Sequence, residues 1–487
     1  MVSARRAGAV TIAGQLAKTV LQFAGLLIFS RILSPRDIGL VAMLAVFVML
    51  GELIRDFGIS QAAIQASNLT HRQASNLFWT NAAIGALMTT ALSLAAPMVA
   101  DMYHEPALTA ITPWSALLFI ISALQMQFQV HLARGHRFTA LTVTDVLSQL
   151  LGLVIGLIAA LSGAGYWSLV IQMLSAAVSL LVVRCIIAGW WPTLPNRDPG
   201  MATLYKFGAH LGCAQLLNYG ALNTDSYVIG IRWGAAPLGV YNRAFQVLTV
   251  PTNQLLAPLT NVVLPILSKK RHEGIDFYQT LWKAQVVLSS ALTLAFALAG
   301  SLAEPLVRVM FGPAWLGSAP LLTILSVGGA FQIFTFVAYW AFLASGNAKS
   351  LFHQSLLIKP SQVVCVVLGS LGGLKGVAWG FSIGIILSWF ISLKWLRTCD
   401  DMPSHEFLRS GLHVLFCGAV TGGLVLKMVE TLRNYSDVIV IAAGGGLALL
   451  VYLPLLISSS PIRDVLVEVV RPPVAHFAGM VKNRVDH

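Results

Sequence analysis

Charge is scarce in this chain. Only ten per cent of its 487 residues are Asp, Glu, Lys or Arg, and the acids number just 19. A soluble domain carries about a quarter of its residues as charge to wet its surface, so a soluble enzyme or binding module is excluded. Cysteine is as sparse: Cys185, Cys213, Cys365, Cys399 and Cys417 are odd in number, scattered and in no CxxC pair. Neither a disulfide framework nor a metal centre follows from that spacing, and they read as small buried apolar residues. No phosphate-cradling GxxxxGK[ST] stretch occurs, which removes direct ATP hydrolysis, and the Gly422-Gly423 and Gly444-Gly445-Gly446 runs follow no strand and read as helix-packing positions. No connector exceeds about twenty residues, leaving no loop large enough to hold the acid–base groups of a membrane glycosyltransferase or glycan polymerase. The chain reads as no enzyme and as needing no cofactor.

What is abundant is apolar sequence. Hydrophobic residues make up 57% and the mean hydropathy is +0.77. With about 20 apolar residues per crossing, the expectation is an all-α polytopic membrane protein of about fourteen transmembrane helices. The net charge of +12 sits at span ends and not in one basic arm, so it signals topology and not nucleic acid. Arg5 and Arg6 precede a long apolar run without a small-residue cleavage site, which reads as a retained first helix.

The chain reads as duplicated. Arg31 to Gly39 is echoed by Arg232 to Gly239, about 200 residues on. Pro97 to Tyr103 is echoed by Pro305 to Phe311, and Gly163 to Trp167 by Gly373 to Trp379. The expected organisation is a six-helix lobe over 1–190, a Pro-rich linker over 191–203, a second six-helix lobe over 204–400, two extra spans over 401–460, and a tail over 461–487. In that tail Ile462, Val465, Leu466, Val469 and Val470 share one face, predicting a short amphipathic helix on the membrane surface. The excess of Lys and Arg in alternate loops places both termini in the cytoplasm, and an even number of spans gives both lobes one orientation.

A charge at mid-bilayer costs roughly 2.5 to 3.5 kcal/mol, so each one marks either a function or a partner. Lys18 shares a face of span one with Gln15 and Gln22. It either snorkels to the inner surface or lines a cavity. Arg55 and Asp56 of span two pair with one another, reach Lys18, or meet a substrate. Asp145 and Asp225 are either proton- or sodium-coupling acids, with Asp56 a third, or helix-to-helix hydrogen bonders. In span seven Asn218 joins the polar set. In span eight Asn242, Gln246, Thr249, Asn253 and Thr260 recur every three or four residues, with Arg243 at the head, and Pro251, Pro258 and Pro265 interrupt the helix. Lys359 of span eleven either attracts an anion or snorkels.

The stretches Ser30 to Met43, Asp56 to Gln65 and Leu238 to Gln246 resemble the elbows of the polysaccharide transporter family, the bacterial Wzx-like flippases of the multidrug/oligosaccharidyl-lipid/polysaccharide (MOP) superfamily. The resemblance covers most of residues 1 to 400. It implies a V-shaped protein of two six-helix lobes that moves a polyprenyl-pyrophosphate-linked oligosaccharide from the cytoplasmic to the periplasmic leaflet of the inner membrane. It also implies cavity cations for the pyrophosphate, matched here to Lys18, Arg55 and Arg243, and a glycan polymerase and chain-length proteins as partners. The competing expectations are a cation-coupled drug exporter or a peptidoglycan-precursor flippase of the same superfamily, and a non-transporting scaffold for glycan enzymes.

Overall fold

The structure is a computed structural model that describes all residues except 1, 57–62, 65–68, 196–200, 202–222, 274–276, 401 and 469–487. Every regular element among the described residues is helical. The chain divides into two compact units, residues 1–243 and 244–487.

The first unit holds α1 (Val2–Ile32), α2 (Pro35–Asp56), α3 (His71–Leu94), α4 (Ala96–Tyr103), α5 (Ala107–Arg134), α6 (Phe138–Leu161), α7 (Trp167–Ala188), α8 (Thr224–Trp233) and the start of α9 (Ala235–Glu273). The local chemistry explains the boundaries. Ser34 caps α2: its hydroxyl oxygen accepts from the Asp37 amide at 3.2 Å and donates to Asp37 Oδ2 at 2.6 Å, and Pro35 takes the first helical position, where its missing N–H costs nothing. Thr70 and Gln73 form a reciprocal capping box at the head of α3. The rigid ring of Pro97 favours a fresh start, so α3 stops at Leu94 and the eight-residue α4 follows.

Within this unit α6 packs along α7, α3 along α5, α5 along α7, α1 along α6 and α2 along α5. The α6–α7 seam is close because Gly152 and Gly156 present bare backbone to Ala176 and Gln172. The outer face of α6 stays apolar and exposed, with Leu147, Leu150, Leu151, Val154, Ile155, Ile158 and Leu161 all uncovered, as a lipid-facing helix requires.

The second unit contains most of α9, then α10 (Phe277–Ser301), α11 (Ala303–Met310), α12 (Ser318–Ala344), α13 (Ala348–Gly369), α14 (Gly373–Asp400), α15 (Ser404–Thr431) and α16 (Asp437–Ile457). Its pairing scheme repeats that of the first: α13 with α14, α10 with α12, α12 with α14. The two short segments with similar sequence, α4 and α11, fold alike as eight-residue helices. A large aromatic core holds this unit together, with Phe334 stacked on Trp389 at 4.6 Å between centroids and Trp340 and Phe342 fully covered.

Eleven stretches among the described residues are long and apolar enough to span a membrane, and one of them, Lys349–Thr398, contains both α13 and α14. α9 is not among them because its polar seam dilutes its hydropathy, yet it runs as one 39-residue helix straight through Pro251, Pro258 and Pro265. The prolines therefore do not interrupt the helix. The architecture is an all-α polytopic membrane protein of about fourteen transmembrane helices, the eight-residue α4 and α11 being too short to cross, with the seventh expected span falling largely on residues 202–222, outside those described.

Two details differ from the sequence expectation. The segment 460–468 is helical, but Ile462 and Val465 are buried in the cluster of Val286, Val414, Cys417, Tyr452 and Leu456. A face that can bury itself against the bundle gains more than one left at the lipid interface. Of the paired glycines, Gly422 approaches Ala297 and Gly444 approaches Leu302 and Val425, whereas Gly423, Gly445 and Gly446 meet nothing.

Candidate functional site

Four helices of the first unit bring their polar residues together. α6 contributes Thr144, Asp145 and Gln149, α7 contributes Arg184, α5 contributes Gln125 and Gln129, and α1 contributes Lys18. Asp145 is the centre: Lys18 Nζ lies 2.6 Å from Oδ2, and Arg184 Nη2 lies 2.5 Å from Oδ1. Arg184 is the most deeply buried of the three, and its other side is fully used. Nη1 donates to Gln125 Oε1 at 2.6 Å and to Gln129 Oε1 at 2.8 Å, and Nε donates to Thr144 Oγ1 at 3.4 Å. Gln149 Nε2 donates to the backbone carbonyl of Lys18 at 3.4 Å.

The geometry follows from helical spacing. Gln125 and Gln129 are one turn apart on α5 and so face the same way, toward Arg184. A guanidinium in apolar surroundings is tolerated only when its fork is satisfied, which two neutral amides, a hydroxyl and a carboxylate achieve. The cluster has two cations and one acid. It keeps one positive charge in excess inside an apolar bundle.

The remaining predicted positions scatter around it. Arg55 is buried and its partner is Glu52, one turn earlier on α2, with Nη2 at 2.9 Å. It pairs neither with Asp56 nor with Lys18, because Glu52 shares its helix face and Lys18 is held by Asp145. Arg55 Nη1 and Glu52 Oε1 are buried without partners among the described residues. Asp225 is buried and accepts from Tyr241 Oη at 2.6 Å and from the Ser226 amide at 2.7 Å. Arg243 is buried near the head of α9, Gln15, Asp56, Asn242 and Gln246 are half-buried, and Gln22 and Asn253 are exposed. Lys359, half-buried on α13, makes no ion pair or hydrogen bond among the described residues. Asn218 lies outside the described residues. Thr249 and Thr260 bond carbonyls of their own helix, and Thr260 also accepts from Trp340 Nε1 at 2.9 Å, which places that end of the seam in the aromatic core.

Sequence reading did not single out Arg184, Gln125 or Gln129. The available signal was an arginine within the otherwise uncharged α7 and glutamines at a spacing of four on α5. No group of three or more His, Cys, Asp or Glu able to hold a metal occurs among the described residues.

Apolar outer faces, a charged and hydrogen-bonded interior and an all-helical bundle define a polytopic membrane protein. The fold has a solved counterpart: the lipid II flippase MurJ in an inward closed conformation superposes with a TM-score of 0.76 at 13% identity, over 93% of this chain and 100% of that one. The sequence then names the family. The chain belongs to the polysaccharide biosynthesis protein family, whose profile matches residues 28–320. It is 26% identical over 365 residues to the teichuronic acid biosynthesis protein TuaB of Bacillus subtilis (strain 168), covering 71% of this chain and 72% of TuaB. It is 24% identical over 382 residues to the lipopolysaccharide biosynthesis protein WzxC of Escherichia coli (strain K12), covering 75% and 76%. The resemblance to Wzx-like members of the MOP superfamily, read from the elbows, is borne out.

Proposed function

We propose that this protein flips a polyprenyl-pyrophosphate-linked oligosaccharide from the cytoplasmic to the periplasmic leaflet of a bacterial inner membrane, with both termini in the cytoplasm. It moves its cargo and does not transform it. The cargo chemistry explains the need: a pyrophosphate and its sugars cannot cross hydrocarbon unaided, while the lipid tail can stay in it. The single observation that carries this reading is the pair of cations on one carboxylate, Lys18 and Arg184 on Asp145, in a bundle of MurJ-like fold. Lys18 is the cation placed to exchange. Its side chain is 27% exposed where that of Arg184 is 4%, so an arriving phosphate oxygen can compete for Lys18 while Arg184 keeps the carboxylate in place. Arg55, Arg243 and Lys359 are assigned as further anion contacts along the path, with Gln15, Gln22, Asn218, Asn242, Gln246 and Asn253 as partners for sugar hydroxyls. Glycan polymerase and chain-length proteins are the natural neighbours of such an activity.

In this reading Asp145 sets the cations and does not carry a coupling ion, and Asp225 is engaged by Tyr241. Asp56 remains as the coupling acid to test.

The experiment is complementation of a deletion strain with Lys18→Glu, scored for lipid-linked glycan retained on the cytoplasmic side. Reversing the charge adds a second acid beside Asp145, and export is expected to fall at least about tenfold, since a charge-assisted hydrogen bond is worth roughly 1.5–3 kcal/mol. Full glycan export by normally inserted Lys18→Glu protein, or a deletion that leaves export intact while altering resistance to toxic cations, would overturn the proposal in favour of a scaffold or a drug exporter.

A further inference from the structure

Away from the charge cluster, the first unit contains a second polar recess. It is a cavity of about 370 Å³ whose walls include Thr70, His71, Gln127, His131, Arg134 and Trp190. It lies where α3 begins and α5 ends, which on the topology proposed above is the cytoplasmic face.

α5 presents two different polar faces. Gln125 and Gln129 meet Arg184, while Gln127, His131 and Arg134, spaced four and three apart, lie together on another face and line the cavity. Gln127 is 2% exposed and its Nε2 has no hydrogen-bond partner among the described residues. A buried amide left unmade costs about 1–3 kcal/mol, so a ligand oxygen that reaches this group is held by it.

The other walls are donors as well. Trp190 Nε1 donates to His71 Nδ1 at 3.1 Å, which leaves the proton of a neutral His71 on Nε2. Trp190 also stacks on His131, with centroids 6.2 Å apart and planes at 26°, fixing that second imidazole. Arg134 brings a permanent charge, anchored by Nη1 on the Ala63 carbonyl at 3.0 Å. The head of the 24-residue α3, with its amide dipoles, opens at the same recess. Among the described residues no carboxylate lines it. The volume falls in the usual small-ligand range of about 300–1,000 Å³.

We propose that this cavity binds a phosphate group, carried either by an anionic lipid headgroup of the cytoplasmic leaflet or by a soluble phosphorylated molecule. One oxygen takes the Gln127 amide and another the Arg134 charge, with the His71 and His131 rings closing around them. The site is independent of Lys18 and Arg184 and does not rest on the cargo assigned above.

The test uses the full-length protein in phosphatidylcholine nanodiscs with two probes. Inorganic phosphate is titrated and read as a shift in melting temperature. Phosphatidylglycerol is added at fixed mole fraction and retained copies are counted by native mass spectrometry. Gln127→Glu keeps the side-chain shape but sets a carboxylate against the anion, and Arg134→Gln removes the charge. Each is expected to weaken binding about tenfold or more, while Lys283→Ala, on α10 of the second unit, leaves it unchanged. Should Gln127→Glu fail to elute as folded protein, Arg134→Gln at the helix end carries the comparison. Loss in the phosphate arm identifies a soluble ligand, and loss confined to the phosphatidylglycerol arm identifies a lipid headgroup. Equal binding by wild type and both variants, no binding of either probe by wild type, or loss caused by Lys283→Ala in place of Gln127→Glu overturns the proposal.

Discussion

Asp145 shows how much a single residue can decide in an apolar interior. Its two oxygens each hold a cation, so replacing it with Asn leaves Lys18 and Arg184 facing one another with no negative charge between them. Breaking a buried ion pair by removing one partner costs about 3–5 kcal/mol, and the value here belongs at the low end because Asp145 and Lys18 are about a quarter exposed. Asp145→Asn is therefore expected to lower the melting temperature of the purified protein measurably, whereas Lys18→Gln, which leaves the Arg184 pair intact, changes it little and reduces transport. If Asp145→Asn melts like wild type and loses only the dependence of transport on an ion gradient, Asp145 is a coupling acid after all. The exposed Lys283–Glu468 pair offers the contrast: at 2.7 Å it is close, but solvent screens it, and Lys283→Ala is expected to cost under about 1 kcal/mol.

At the level of elements, the first turns of α2 and α9 approach one another main chain to main chain. A Cβ at Gly39 would overlap the carbonyl oxygen of Ala235, and a Cβ at Gly239 would overlap that of Pro35. The contact is reciprocal, as two copies of one elbow crossing at their first helical turns would produce. Neither partner atom can move aside, since both are main chain and each lies at the head of a helix. Gly39→Ala and Gly239→Ala should each destabilise by about 1–3 kcal/mol or more, the usual cost of overpacking, and proteolysis or thermal melting in detergent would register it. Gly423→Ala, with nothing within reach of a Cβ, is the matched control and should be neutral or slightly stabilising.

For the molecule as a whole, the testable statement is orientation. Arg433 and Lys269 are both exposed and, under the charge bias of the loops, lie on opposite sides of the membrane. Arg433→Cys is expected to react with a membrane-impermeant maleimide in intact spheroplasts, and Lys269→Cys only after permeabilisation. The described native cysteines, Cys185, Cys365 and Cys417, are half-buried or buried and give a low background. The reverse labelling pattern would invert the topology and with it the direction assigned to transport.

The sequence by itself determined the class of the protein. Its long continuous apolar runs dictated a helical membrane bundle, because a closed β-barrel, the other structure that satisfies its backbone in lipid, shows short alternating runs, and its elbow and Pro97/Pro305 echoes pointed to the paired plan now seen in α4 and α11. It also marked Lys18, Asp145 and Arg55 as charges needing an explanation. What only the tertiary structure decided was which side chains these charges meet. Lys18 and Asp145 are 127 residues apart, and helical periodicity fixes the face a side chain occupies but not which helix that face meets. Arg184 went unmarked for the same reason: its partners come from α5 and α6, and only their packing brings two amides and a carboxylate to it. The tail helix followed suit, since an apolar stripe specifies that a surface will be covered, and the neighbouring helices decide whether lipid or protein covers it.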